Sequence, residues 1–196
     1  MDEITDIKRF AHKNDVPVIK DDGADFICEY IKTHNVKRIL EIGTAIGYSA
    51  IRFAQVSDDV QVTTIESNID REIKAKQNFH DCGLEDRINA VFGDALMMDL
   101  EGEFDLIFID AAKAQYIRFF EKYKKNLAPG GVFISDNLSF HGMVEDISLT
   151  HNYSTIKLVK KIRKYIDFLK ANEEFHTDFY ECGDGIAVTR RIENNQ

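Results

Sequence analysis

Two aspartates, an asparagine and a lysine stand where this chain could do chemistry. Asp110 and Lys113 lie in Ile109-Asp110-Ala111-Ala112-Lys113, and Asp136-Asn137 follow further along. Asp110 and Asp136 each close an apolar run, and such runs read as parallel strands whose tips lie ~4.8 Å apart. Two carboxylates and an amide carbonyl around one centre form a hard, all-oxygen set without His or Cys. That set suits Mg²⁺, which keeps open positions for water and substrate oxygens, and it disfavours zinc. A lysine beside a divalent cation has its ammonium form disfavoured by like charge, so Lys113 fits a general base. The rival reading is a plain surface lysine on the helix that follows.

The other strand tips are also acidic. Arg38–Ile42 runs into Glu41-x-Gly43-x-x-x-Gly47, Glu66 closes a second run 23 residues after Gly43, and Gly93-Asp94-Ala95 closes a third. A lone strand-end Asp is more often a turn or cap residue than a ligand, but five acidic tips in succession weaken that as a common explanation. In open α/β sheets, ligands sit beyond the carboxyl ends of the strands, where strand order reverses. The glycine loop is not G-x-G-x-x-G, and no Lys-Ser/Thr follows it, so dinucleotide and P-loop readings fit poorly. A carboxylate at Glu41, inside the loop, repels a pyrophosphate and suits a cationic ligand such as S-adenosylmethionine. Glu66 is spaced to bind a ribose diol.

The elements that must hold these residues alternate. Apolar runs at 38–42, 60–66, 88–92, 104–110 and 131–135 read as strands, with helical segments at 46–56, 69–82 and 113–126 between them. Right-handed βαβ units and a parallel sheet covered on both faces follow. Residues 2–13 and 22–34 read as leading helices, joined through Val16-Pro17-Val18, so that 1–35 forms a helical cap region. A long helix at about 153–171 precedes two extended runs, 178–182 and 186–191, around the turn Gly183-Asp184-Gly185. One α/β domain over 1–196 is expected, its sheet closed by an antiparallel hairpin.

With 44% hydrophobic and 30% charged residues, the 196-residue chain has the composition of a globular domain. No apolar run approaches the ~20 residues a bilayer needs, and the N-terminus does not read as a secretory signal. Cys28, Cys82 and Cys182 are odd in number and widely spaced, which fits reduced thiols in a cytoplasmic protein. The net charge of −9 argues against non-specific nucleic-acid binding by the whole surface. Lys157, Lys160, Lys161, Arg163 and Lys164 nevertheless crowd one stretch. They read either as a solvated helix face or as a local phosphate-binding surface.

Glu41 to Ala50, Phe104 to Lys113, Leu127 to Asn137 and the closing Gly183-Asp-Gly-Ile-Ala-Val188 together resemble the cation-dependent class I O-methyltransferases of catechol and caffeoyl-CoA type. The resemblance covers about 16–191. Within that family, Asp136-Asn-Leu-Ser-Phe-His-Gly142 and the short loops resemble the bacterial tRNA 5-hydroxyuridine methyltransferases, which make 5-methoxyuridine at the wobble position. The resemblance implies a Rossmann-like sheet of seven strands ordered 3-2-1-4-5-7-6. It implies that Val18, Glu41, Gly43, Thr44, Tyr48 and Ser49 surround the methionine part of the methyl donor, that Glu66 holds the ribose, and that Asp94 and Ala95 flank the adenine. Asp110, Asp136 and Asn137 would hold the metal, with Asp110 also touching the donor, and Lys113 would be the base. A homodimer is implied as well, although related bacterial enzymes often begin with a further helix than this chain shows.

Three functional readings follow. The first is a Mg²⁺-dependent methyltransferase acting on 5-hydroxyuridine in tRNA, supported by the subfamily motif and the basic stretch. The second is an O-methyltransferase of a small catechol-like metabolite, supported by the acidic net charge. The third, a non-catalytic donor-binding protein, sits poorly with an intact metal set and Lys113.

Overall fold

A computed structural model describes residues 3–193; residue 2, where the first helix was expected to begin, lies outside them. The helices are α1 (Glu3–Lys13), α2 (Asp21–Thr33), α3 (Tyr48–Ala54), α4 (Ile69–Asp81), α5 (Tyr116–Tyr123) and α6 (Tyr153–Lys170). The strands are β1 (Arg38–Ile42), β2 (Gln61–Glu66), β3 (Ile88–Phe92), β4 (Phe104–Ile109), β5 (Leu127–Ser135), β6 (Phe175–Tyr180) and β7 (Ile186–Arg191). They form one sheet in the order β3-β2-β1-β4-β5-β7-β6. Pairing is parallel from β3 through β5 and antiparallel where β7 meets β5 and β6.

Alternation along the central strands explains the two covered faces. Ile39, Leu106 and Phe108 point into a core shared with α1, α2, α3 and α4, through Ile7, Ile27, Ile31, Phe53 and Phe79. Leu40, Ile42, Ile107 and Ile109 point the other way, against Phe119 and Phe120 of α5 and Ile162, Tyr165 and Leu169 of α6. A strand buried on both faces must be apolar throughout, which is why β1 and β4 read as nearly unbroken runs. Strand order reverses between β1 and β4, so a crevice opens at their carboxyl ends.

Four elements depart from the sequence reading. The segment expected as a helix over 113–126 divides into a 3₁₀ turn, Lys113–Gln115, then α5, then a second 3₁₀ turn, Lys124–Asn126. Asn126 anchors that last turn by donating its amide to the carbonyls of Leu100 and Gly102. β5 starts at Leu127 and carries Pro129-Gly130-Gly131 inside it, where its register against β4 shifts; an irregularity is where a strand tolerates a residue without an N–H. β6 starts three residues earlier than expected, because the Asn172 side chain accepts the N–H groups of Glu174 and Phe175 and starts the strand there. α3 begins only at Tyr48, since Gly47 has φ +84° and cannot be helical.

Candidate active site

The crevice holds a cavity of about 540 Å³. Its walls include Val18, Gly43, Thr44, Tyr48, Ser49, Glu66, Asp94, Ala95, Asp110, Lys113 and Asn137. Residues drawn from both sides of the switch point therefore face one space.

On the β1–β2 side the polar groups are largely paired. Gly43 has φ +108°, and a Cβ there would lie 2.1 Å from the carbonyl oxygen of Asp110. Only glycine lets the end of β1 press against the end of β4. Glu41 is not in the loop, as expected, but within β1, fully buried behind the cavity wall. Ser49 and Thr64 donate their hydroxyls to its two oxygens. Burial pushes the Glu41 carboxyl up to about 8; the two hydroxyls pull against this, and Asp110 and Glu66 add to it. Glu66 accepts the backbone N–H of Ala45 and of Asn68, each at 2.8 Å. Its carboxylate thus ties the glycine loop to the start of α4. Tyr48 turns its hydroxyl to Asp21 at 2.9 Å and receives a bond from Arg52, so it braces α2 against the loop. Asp94 spends one oxygen on the N–H of Leu96, as a turn aspartate does, while the adjacent Ala95 is buried.

The β4–β5 side is different. Asp136 is 1% exposed, and its Oδ1 has no hydrogen-bond partner. Asn137, in the left-handed region at φ +67°, donates its amide to Asp110 Oδ1 at 3.3 Å. Burial raises both carboxyls, that of Asp136 to about 7. Asp110 adds repulsion at Asp136, and Lys113 partly offsets the rise at both. Lys113 sits on the 3₁₀ turn, not on an α-helix, with its Nζ 5.8 Å from the Phe140 ring centre. Tyr116, one turn on, donates its hydroxyl to the Asp136 carbonyl at 3.1 Å and secures the tip of β5.

Among the described residues, no group of three or more His, Cys, Asp or Glu forms a metal cluster. Two carboxylates and an amide are what this site offers. A buried carboxylate oxygen without a donor, beside a second enclosed carboxylate, is the arrangement a hard cation would complete. Turning the Asn137 amide over would bring in its oxygen. The donor set fits Mg²⁺.

Of the basic stretch, Lys157, Lys160, Lys161 and Lys164 are exposed along one stripe of α6. Arg163 does not join them: its guanidinium donates to the Val144 carbonyl at 2.8 and 2.6 Å and ties the loop after β5 to the helix. Sequence reasoning missed the cavity residues Ala45, Ser67, Arg71, Leu96, Gln115 and Phe119. Arg71 had a signal, in the first turn after a strand-end acid; Ala45, Ser67 and Leu96 line the site from loops, Gln115 from the 3₁₀ turn and Phe119 from α5. It also took Asp184 only as a turn residue, although Asp184 is buried beside the Asp110–Asp136 pair.

Comparison with known proteins agrees with this architecture. An O-methyltransferase family model matches residues 2–192. A solved Staphylococcus aureus structure, provisionally named a caffeoyl-CoA O-methyltransferase, shares 39% identity and a TM-score of 0.93, covering 98% of this chain and 93% of that one. A Populus kitakamiensis caffeoyl-CoA O-methyltransferase is 27% identical over 94% of this chain and 82% of its own length. A Bacillus cereus O-methyltransferase solved with S-adenosylhomocysteine has the same fold, with a TM-score of 0.83 at 24% identity over 97% and 90% of the two chains. The chain belongs to the S-adenosylmethionine-dependent class I O-methyltransferase family. No helix among the described residues is long and apolar enough to cross a membrane.

Proposed function

We propose that this protein is a Mg²⁺-dependent O-methyltransferase of the cytoplasm that converts 5-hydroxyuridine in tRNA to 5-methoxyuridine. The observation that carries the chemistry is the convergence of Glu66, Asp110, Lys113 and Asn137 on one cavity. Val18, Gly43, Thr44, Tyr48 and Ser49 would hold the methionine end of the donor, with Glu41 supporting Ser49 from behind. Glu66 would accept from the ribose hydroxyls, while Asp94 and Ala95 flank the base. S-adenosylmethionine, when bound, supplies an electrophilic methyl group whose departing sulfur keeps the bonding pair. Mg²⁺, when bound by Asp110, Asp136 and Asn137, supplies the Lewis acidity that lowers the pKa of an acceptor hydroxyl. Lys113 takes the proton from that hydroxyl as its oxygen bonds to the methyl carbon. Walls formed by both halves of the sheet orient donor and acceptor in line.

An acceptor with a second oxygen next to its hydroxyl suits this donor set, and 5-hydroxyuridine has carbonyl O4 in that position. The tRNA reading is supported by the exposed lysine stripe. α6 starts at the carboxyl end of the sheet and packs against the 3₁₀ turn that bears Lys113. At its first turn Tyr153 lies exposed under the Lys157 ammonium, 4.3 Å from ring centre to Nζ. A second reading, methylation of a small catechol, is favoured by the net charge of −9 and by the caffeoyl-CoA names of its relatives.

The test is methyl transfer from labelled S-adenosylmethionine to tRNA bearing 5-hydroxyuridine, with a catechol beside it, read by mass spectrometry of digested nucleosides. Formation of 5-methoxyuridine supports the tRNA reading. Methylated catechol with untouched tRNA moves the function to small-molecule O-methylation.

A further inference from the structure

The tip of the β6–β7 hairpin touches both halves of the site. Gly183 (φ +63°) and Gly185 (φ +86°) flank Asp184, which is 6% exposed. Toward the N-terminal region, Gly183 packs directly on Gly23 of α2: a Cβ on either glycine would approach the other's Cα to 3.2–3.3 Å. The Gly183 N–H bonds Asp22 at 2.9 Å, its carbonyl accepts from Lys20 at 3.1 Å, and the Lys20 ammonium reaches Asp184 Oδ1 at 3.5 Å.

Toward the acceptor side, the tip carries the chain that follows β5. Leu138 N–H donates to the Gly185 carbonyl at 2.9 Å, Ser139 N–H to the Asp184 carbonyl at 2.7 Å, and His141 N–H to Asp184 Oδ1 at 2.8 Å. A Cβ on Gly185 would lie 2.6 Å from the Ser139 nitrogen, so the approach needs glycine. The segment held this way is strained. Asn137, Phe140 and His141 have φ of +67°, +48° and +59°, and such conformations persist only where the surroundings over-determine them. Two of the three matter to the reaction: Asn137 bonds Asp110, and Phe140 lies against Lys113. Of the three bonds that run from this segment to the hairpin tip, the one from the His141 N–H to Asp184 Oδ1 uses a side chain, and the His141 ring nitrogen stands 3.6 Å from the same oxygen.

We propose that Asp184 is a positioning residue for methyl transfer. By accepting the His141 N–H it holds Leu138–His141 in its strained course, and that course sets Asn137 against Asp110 and Phe140 against Lys113. Asp184 touches no reacting atom. The inference rests on the reading of Asp110, Asn137 and Lys113 as the acceptor-side machinery, and it makes the hairpin tip part of that machinery although the tip is far from it in sequence.

The experiment compares Asp184→Ala and Asp184→Asn with the parent enzyme. Asparagine keeps an oxygen that can accept the His141 N–H, and alanine does not. Three readouts are taken: hydrogen exchange over 137–142, S-adenosylhomocysteine affinity by calorimetry, and kcat and KM with 5-hydroxyuridine tRNA and with catechol. In Asp184→Ala, faster exchange over 137–142, unchanged S-adenosylhomocysteine affinity and a kcat lowered by about 100-fold are expected, the size of loss that a displacement of ~1 Å brings. Asp184→Asn should recover exchange protection and most of kcat. Unchanged exchange in Asp184→Ala overturns the inference, as does an Asp184→Asn variant as impaired as alanine. Weakened S-adenosylhomocysteine binding in Asp184→Ala also overturns it, by showing a general structural role. Lys113→Met and Asp110→Ala are assayed alongside. If they stay active, the acceptor-site reading itself fails; if they are inactive while Asp184→Ala is fully active, only the role of Asp184 fails.

Discussion

The donor side and the acceptor side of the cavity are built by opposite means. On the donor side, Glu41, Thr44, Ser49, Thr64 and Glu66 come from consecutive elements, and each finds a hydrogen-bond partner in the folded chain. On the acceptor side, Asp136 keeps an orphaned oxygen, Asp110 and Asp136 repel one another, and the segment after them holds three non-glycine residues at positive φ. A set of paired groups is a finished binding surface, whereas buried like charges with an unpaired acceptor are the arrangement that the proposed cation would complete. The comparison separates affinity from turnover: damage on the donor side should appear in ligand binding, and damage on the acceptor side in kcat.

The largest effect is expected from Asp110→Ala, which should lower metal-dependent kcat by about 10³-fold or more while S-adenosylhomocysteine still binds. A fully active variant would remove the metal proposal. Lys113→Met should cost about 10²–10⁴-fold in kcat, the range for losing a positioned base, with KM for the donor little changed. Glu66→Ala tests the other side. It should raise the donor Kd by about 10- to 100-fold, from ~1.5–3 kcal/mol of charge-assisted hydrogen bonding, with kcat nearly kept at saturating donor. A loss confined to kcat would break the comparison.

Glu41 sharpens it through pH. In the ligand-free fold Glu41 stays protonated up to about 8, whereas in the unfolded chain it ionises above its ordinary value of 4.5. The native state therefore binds more protons in that window, and stability should fall as pH rises from 4.5 to about 8. Denaturant melts across this range should show the fall in the parent and a flatter profile in Glu41→Gln. The smallest effect is expected on α6. Neutralising Lys160 and Lys161 should weaken tRNA binding and reduce the salt slope by about 1–2, at ~0.9 per phosphate contact, and leave catechol kinetics unchanged. An unaltered salt slope would leave those lysines as a solvated face.

Much of this architecture was legible before the structure. Apolar runs bounded by turn residues located every parallel strand, and the acids at their tips marked the cavity, because a buried parallel strand is apolar until it reaches solvent. What escaped was set by single long-range hydrogen bonds. Asn172 starts β6 early, and Asn126 ends the α5 region in a 3₁₀ turn; neither has a periodicity to read. Glu41 read both as strand, within 38–42, and as the start of the glycine motif, and only the fold shows its carboxyl enclosed by Ser49 and Thr64. Arg163 resembled its lysine neighbours in composition, yet its link to Val144 makes it structural. Asp184 looked like a hairpin residue, and only the fold shows it beside Asp136.

The contrast between the two sides is tested most directly by titrating S-adenosylhomocysteine into the enzyme in EDTA and again in Mg²⁺, with turnover assayed in both buffers. The account predicts equal S-adenosylhomocysteine affinity in the two, no turnover in EDTA, and full recovery when Mg²⁺ is restored. Turnover that persists in EDTA, or S-adenosylhomocysteine binding that is lost there, would contradict it.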